Sequence, residues 1–241
     1  NINAVTIEVV KKAQARKAID DAATAKKATI DQTPDATQEE KEAAKQKVDD
    51  AVTEAKSNID HANTNNEVDT ANTNGVNNIS AVTVDVVKKA QARKAIDDAA
   101  IAKKATIDQT PDATQEEKEA AKQKVDQAVT EAKGNIDRAT TNSEVDTTNT
   151  NGVTTINAIT VDVVKKAQAK KNIDDVAIAK KASIDQTPGA TKEEKDVAKD
   201  KVDVAVTEAK GNIDHANTNA EVDTANTNGT NTINSIQVEI A

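Results

Sequence analysis

The chain contains no phenylalanine, tryptophan, tyrosine, methionine, cysteine or leucine. Any hydrophobic core must therefore be assembled from alanine, valine and isoleucine. At roughly 25 cal/mol per Å² of buried apolar surface, an alanine-rich seam contributes much less than a leucine or phenylalanine core of equal length. One folded unit of this kind is marginal and gains from packing on its neighbours. Without cysteine there is no disulfide and no thiol chemistry, which is compatible with export but leaves the redox compartment open. No apolar run of 18 residues exists, so no membrane-spanning helix is expected. The first residues resemble neither an initiator methionine nor a signal peptide, so targeting information is expected outside this fragment. A net charge of −9, from 41 acidic against 32 basic residues, argues against a nucleic-acid partner, and there is no basic stripe with aromatic stacking residues. Low hydrophobicity approaches the composition of disordered chains. The abundance of Ala, Lys, Glu and Gln, all strong helix formers, and the periodicity described next favour an ordered helical protein.

What is present is a register of 77 residues. Lys11-Lys12-Ala13-Gln14-Ala15 returns at Lys88 and Lys165, the prolines are Pro34, Pro111 and Pro188, and Asn-Gly falls at Gly75, Gly152 and Gly229. Units are expected at 1–77, 78–154 and 155–231. Residues 232–241, from Thr232 to Ala241, align with Thr155 to Val164 and are expected to begin a fourth unit, so the chain reads as a piece of a longer array. A supersecondary unit copied head to tail points to length or multivalency rather than to a catalytic site. The first two units are identical at 66 of 77 positions. Recurrence alone therefore singles out no residue, and the informative positions are those that differ.

Within a unit, apolar residues at Val9, Ala13, Ile19, Ala22, Ala23 and Ile30 predict an amphipathic helix from about Thr6 to Ile30. Position 24, where Thr24, Ile101 and Ile178 alternate, reads as a half-buried flank. Asp31-Gln32-Thr33-Pro34-Asp35-Ala36 is a connecting turn, because Pro34 lacks an amide donor and biases Thr33 away from helical angles. Thr37 and Glu40 form a capping box that opens a second helix, about Gln38 to Ala62, with a seam of Ala44, Val48, Ala51, Ala55, Ile59 and Ala62, widened by Val52. The third segment, about Asn65 to Ser80, is rich in Asn and Thr. Val68, Ala71, Gly75, Ile79 and Val82 keep helical spacing there, and Gly75 would permit close contact with the other helices. A third helix closing a three-helix bundle is preferred, and a hairpin at Asn74-Gly75 is the alternative. From Ile79 the spacing continues through Val82 and Val86 to Ala90, which predicts a helix shared with the next unit. The expected fold class is all-α: tandem three-helix bundles joined end to end into an elongated rod.

Each candidate site has a structural reading beside it. His61 and His215 share a register position with Arg138 and read as exposed residues near a helix end, with no partners at metal-ligand spacing. Asp31, Asp35 and Glu39 suggest calcium, but the spacing is not that of an EF-hand and Gly189 replaces Asp35 in the third unit, so capping and turn roles are preferred. Asp20-Asp21 and Asp49-Asp50 lack the enclosure that separates carboxyl pKa values, and pairs such as Lys45 with Asp49 on solvated faces are expected. Lys11-Lys12, Arg16 and Lys26-Lys27 could hold an acidic envelope polymer through avidity, although a solvated basic face is preferred. No nucleophile triad or phosphate loop is present. The sequence assigns no catalytic, cofactor-binding or metal-binding residue and implies no cofactor.

The runs Lys11 to Asp21 and Asp31 to Thr37, with Glu67-Val68-Asp69-Thr70 before Asn74-Gly75, resemble a known family. It is the tandem helical domain-of-unknown-function repeat of large staphylococcal cell-wall-anchored surface proteins, of the surface protein C, methicillin-resistance surface protein and giant matrix-binding protein type. The resemblance covers the whole chain. It implies an extracellular, cell-wall-anchored stalk or spacer that projects a distal adhesive region, with roles in host attachment, aggregation or biofilm, and with neighbouring repeats as partners. The alternative is a multivalent binding module for host matrix or serum proteins. The lack of Trp and Tyr hot-spot residues weighs against it.

Overall fold

The computed structural model describes residues 2–240, with side chains from Val9 onward. Asn1 and Ala241, the outer limits of the expected first unit and of the fourth-unit start, lie outside the described residues, as does the side chain of Thr6. Among the described residues there are nine helices and no strand: α1 (Ile2–Asp31), α2 (Gln38–His61), α3 (Asn65–Ala81), α4 (Lys88–Asp108), α5 (Gln115–Arg138), α6 (Asn142–Ala158), α7 (Lys165–Asp185), α8 (Lys192–His215) and α9 (Asn219–Ser235). By its contacts the chain divides into two compact units, residues 1–98 with 130–154 and residues 99–129 with 155–241. Each holds one complete three-helix bundle and part of the middle one.

In the first unit the core is Ala15, Ile19, Ala23 and Ile30 from α1, Ala44, Val48, Ala55 and Ile59 from α2, Ala62 just after it, and Val68 and Ile79 from α3. The α2 seam is the expected one, with Ala51 and Val52 half-buried at its flank. On α1 the seam differs. Val9 and Ala13 are exposed, and among the described side chains the first buried one is Ala15. The counterparts of Val9, Val86 and Val163, are half-buried where one bundle meets the next, so this valine serves the joint rather than the bundle core. The half-buried flank expected at position 24 is also corrected. Ile101 is 69% and Ile178 68% exposed, and the Thr24 hydroxyl donates back to the Asp20 carbonyl on an open helix face.

The Asn/Thr-rich third segment is a helix in every repeat, and Asn74-Gly75 lies inside it. Gly75 is buried: a Cβ there would come within 2.5 Å of the Ala55 Cβ and 2.6 Å of the Ile19 Cδ1. The helix gives up propensity to gain backbone contact with both partners. Gly152 stands likewise against Ala132 and Ile96, and Gly229 against Ala209 and Ile173. In the second unit the core of α7 to α9 repeats the pattern, with Ile173, Ile184, Val202, Ile213, Val222 and Ile233 at its centre. One departure is coordinated. Asn172 replaces Ala18 and Ala95 and donates to Asn226 Oδ1 at 2.9 Å, whereas the equivalent Asn72 and Asn149 oxygens are buried without a protein partner.

The shared helix predicted across Ile79 to Ala90 is not formed. The chain leaves α3 at Val82 (φ −61°, ψ 132°) and runs without helix to Val87. Val82, Val84 and Val86 are half-buried while Thr83, Asp85 and Val87 are exposed, the strict alternation of an extended segment. Ile159, Val161 and Val163 repeat it in the second unit. Val82 and Val86 satisfy a helical spacing as well, but the β-branched run favours the extended form.

The glycine contacts make a paired prediction. Gly75→Ala is expected to destabilise the first bundle by about 1–3 kcal/mol through overpacking. Gly211→Ala, at a helical position where an added Cβ would meet nothing within 4 Å, is expected to stabilise by about 0.5–1 kcal/mol. Urea unfolding followed by circular dichroism separates the two signs.

Candidate functional site

The features that distinguish this chain from a single helical bundle lie where one bundle meets the next. The first joint is built largely from the turn before α2 and the first turn of that helix. Pro34 ends the first helix, and Asp35 takes a left-handed conformation (φ 63°), as do Asp112 (φ 61°) and Gly189 (φ 78°). Glycine adopts that geometry without strain and Asp tolerates it, which accounts for the exchange at this position. Thr37 then caps α2: its hydroxyl accepts from the Glu40 amide at 3.3 Å, and the Glu40 carboxylate accepts from the Thr37 amide at 2.9 Å, the expected capping box.

Glu40 has a second task. Its other oxygen accepts from the amides of Val87 at 2.9 Å and Lys88 at 2.8 Å, the first donors of α4 in the following repeat. One carboxylate thereby caps two helices. Glu117 does the same for Val164 and Lys165 at 2.9 and 2.8 Å, and α7 has no side-chain cap of its own. Around this centre the Gln38 amide donates to the Thr140 carbonyl at 2.9 Å, the Asn142 amide to Glu39 at 2.9 Å, and the Thr37 hydroxyl to Asn142 Oδ1 at 2.7 Å. In the second unit Gln115 meets the Asn217 carbonyl at 2.8 Å and Asn219 meets Glu116 at 2.9 Å. Thr37 and Thr114 are fully buried by these contacts, whereas Thr191 is exposed.

Charge reinforces the first joint. Arg93 donates to both oxygens of Asp35, at 3.1 and 3.0 Å, and through Nε to Asp137 at 2.8 Å. The Arg93 guanidinium holds the Asp35 carboxyl below its usual range, and the two carboxylates raise Arg93. At Glu40 and Glu117 burial acts to raise the carboxyl. The amides of Thr37, Lys88 and Val87, and of Thr114, Val164 and Lys165, outweigh it and hold both groups below the ordinary glutamate range.

The residues considered for other chemistry are dispersed. Asp31 pairs with Lys45 at 2.6 Å, Asp35 with Arg93 and Glu39 with the Asn142 amide, so the three acids are not brought together around a cation. Among the described residues, no group of three or more His, Cys, Asp or Glu is placed to hold a metal ion. His61 and His215 are exposed, with Nδ1 at 2.7 and 2.6 Å from the Ser57 and Gly211 carbonyls, and Arg138 donates to Asn135. Asp20 pairs with Lys56, Asp21 with Lys17 and Asp49 with Lys27, while Asp50 accepts from Gln46. Lys45 therefore serves Asp31 and Glu42 rather than Asp49.

The basic pairs are also not a free solvated face. Lys12 donates to the Asp60 carbonyl at 3.0 Å and Lys26 to the Ser80 carbonyl at 2.8 Å, filling acceptors left open at the ends of α2 and α3. Lys11 pairs with Asp69, and Arg16 with Asp60. Sequence reasoning missed these clasps, the second role of Glu40, and the part played by Thr140 and Asn142. One signal was legible: Val86-Val87 offers no capping side chain before Lys88, so the helix needs a carboxylate from elsewhere.

These joints recur at the 77-residue period, and the family match to this chain follows the same period. A family model described as Domain of Unknown Function (DUF1542) matches residues 11–87, 88–164 and 165–241. The chain belongs to this family. The DUF1542 frame keeps the period read from the sequence and bears out the resemblance drawn from the Lys11 to Asp21 and Asp31 to Thr37 motifs. The chain is similar to part of the extracellular matrix-binding protein EbhA of Staphylococcus aureus strain Mu3, 27% identical over 189 residues that make up 78% of this chain and 3% of that protein. The extracellular matrix-binding protein ebh of strain JH9 matches with the same identity and span, 2% of its own length. The chain thus spans only 2–3% of the length of these relatives. No solved structure matches it. No helix among the described residues is long and apolar enough to cross a membrane.

The shared cap gives the DUF1542 joint a pH dependence. Because the folded-state pKa of Glu40 and Glu117 is lowered, their contribution is complete above the unfolded value of about 4.3 and is lost as pH falls through the folded value. The protection of the Val87, Lys88, Val164 and Lys165 amides, taken relative to their intrinsic exchange rates at each pH, is expected to fall through that acid window before that of the bundle interiors. Glu40→Ala is expected to produce the same local loosening at neutral pH, at a cost of about 1–2 kcal/mol.

Proposed function

We propose that this chain is a run of stalk repeats from a bacterial cell-surface protein, working outside the cell as a spacer rather than as a catalyst. The supporting observation is the shared carboxylate: Glu40 and Glu117 each cap their own helix and the first helix of the next repeat. A repeat whose helix cap is supplied by its neighbour is suited to resist bending at each joint. The relatives' name, extracellular matrix-binding protein, supports a surface setting. On this reading the repeat units are 1–77, 78–154 and 155–231, with 232–241 opening a fourth.

The relatives' name also favours a second reading, in which each repeat contributes a weak contact to a host matrix protein. Two measurements decide. Small-angle scattering of the intact chain is expected to give a radius of gyration well above the roughly 18 Å of a globule of this length, and the double variant Glu40→Ala, Glu117→Ala is expected to broaden the distance distribution. A compact chain would defeat the spacer. Binding to immobilised matrix proteins by one repeat and by three is expected to be equally weak; a steep gain with repeat number would transfer the function to binding.

A further inference from the structure

We infer that Asn74, Asn151 and Asn228 are latent sites of self-modification, closed while a repeat is folded and open when it unfolds. Each precedes a glycine at which an added Cβ would come within 3 Å of side chains on both other helices, so packing holds the Asn-Gly dipeptide in place from the glycine side. The asparagines themselves are exposed. Nothing in the core requires an amide there.

The chemistry is intramolecular. The Gly75 backbone nitrogen gives its proton to solvent base and attacks the Asn74 Cγ. A C–N bond forms, and the side-chain amide nitrogen leaves as ammonia, carrying a proton from solvent. Water then opens the resulting succinimide at either carbonyl, giving aspartate or isoaspartate. The step needs only water. Glycine is the most permissive successor, since it has no side chain to screen its nitrogen, whereas Asn72, Asn77 and Asn78 are followed by Thr73, Asn78 and Ile79.

Folding blocks this attack in two ways. An interior helical amide is engaged with the carbonyl four residues back, and helical ψ near −42° keeps the Gly75 nitrogen away from the Asn74 side chain. Ala55 and Ile19 press on Gly75 from the other helices, so the backbone cannot rotate locally without opening the bundle. An unfolded repeat loses both restraints. Isoaspartate adds a methylene to the main chain between Val68 and Ile79, the two buried anchors of α3, so the altered helix cannot seat both.

The intact chain, incubated at physiological temperature in mildly basic buffer with and without urea, tests this by peptide mapping. In urea, conversion is expected at Asn74, Asn151 and Asn228 ahead of the other asparagines; in buffer it is expected to be at least about 100-fold slower, as for a reaction that requires opening. Equal rates in the two conditions, or no preference for these three sites in urea, would overturn the inference. On removal of urea, freshly unfolded chain and the triple variant Asn74→Asp, Asn151→Asp, Asn228→Asp are expected to regain helical circular dichroism, and isoaspartyl chain is not. Full refolding of the isoaspartyl chain would overturn the claim that the altered helix cannot seat both Val68 and Ile79.

Discussion

The contact of Gly75 with Ala55 and Ile19 is the constraint on which the bundle depends. A core without leucine or aromatic rings can exclude water only if the helix backbones come close, and a glycine at the crossing is what lets them do so. The isoleucines then fill the layers on either side, and Ile19, Ile59 and Ile79 are wholly buried. A bundle this slim has helix ends within reach of lysines on the neighbouring helix. That is why Lys12 and Lys26 reach the terminal carbonyls of α2 and α3 instead of extending into solvent.

The joints follow a different physics. Between α3 and α4 the chain is extended and partly buried through alternate valines, so its grip comes from amides, carboxylates and one guanidinium rather than from a continuous core. Capping in trans suits this setting. A helix beginning at Lys88 after two valines has unsatisfied amides, and only the previous repeat supplies Glu40 to meet them. Folding of one bundle and orientation of the next are thereby linked through a single side chain.

The helices were legible because their punctuation is chemical. Pro34 and the Thr37 to Glu40 box mark the first turn, and the alanine and valine steps of α2 give its buried face directly. The third helix was legible only with the helical reading of Gly75 preferred over the turn reading, and the tertiary contact explains why a turn dipeptide is carried inside a helix. The joint was misread because Val82 and Val86 fit a helical period and a period of two equally well; the deciding residue, Val84, has meaning only in the second. The partners of Glu40 and Arg93 across the joint lie far away in sequence, with separations of 47 and 58 residues for Val87 and Asp35, and no local pattern announces contacts of that separation. The dispersal of Asp31, Asp35 and Glu39 was partly legible, since Gly189 in the third repeat shows that the position needs a left-handed backbone more than it needs a carboxylate.

Arg93 and Lys170 occupy the same register position, yet they do different work. The guanidinium fork of Arg93 ties the turn at Asp35 and the helix end at Asp137 together, while the single ammonium of Lys170 is engaged with Asp214. Two joints that share the same carboxylate cap are therefore clamped unequally by one substitution. An array of near-copies is thus not uniform: a change at one register position alters how many parts of a joint a single side chain ties together.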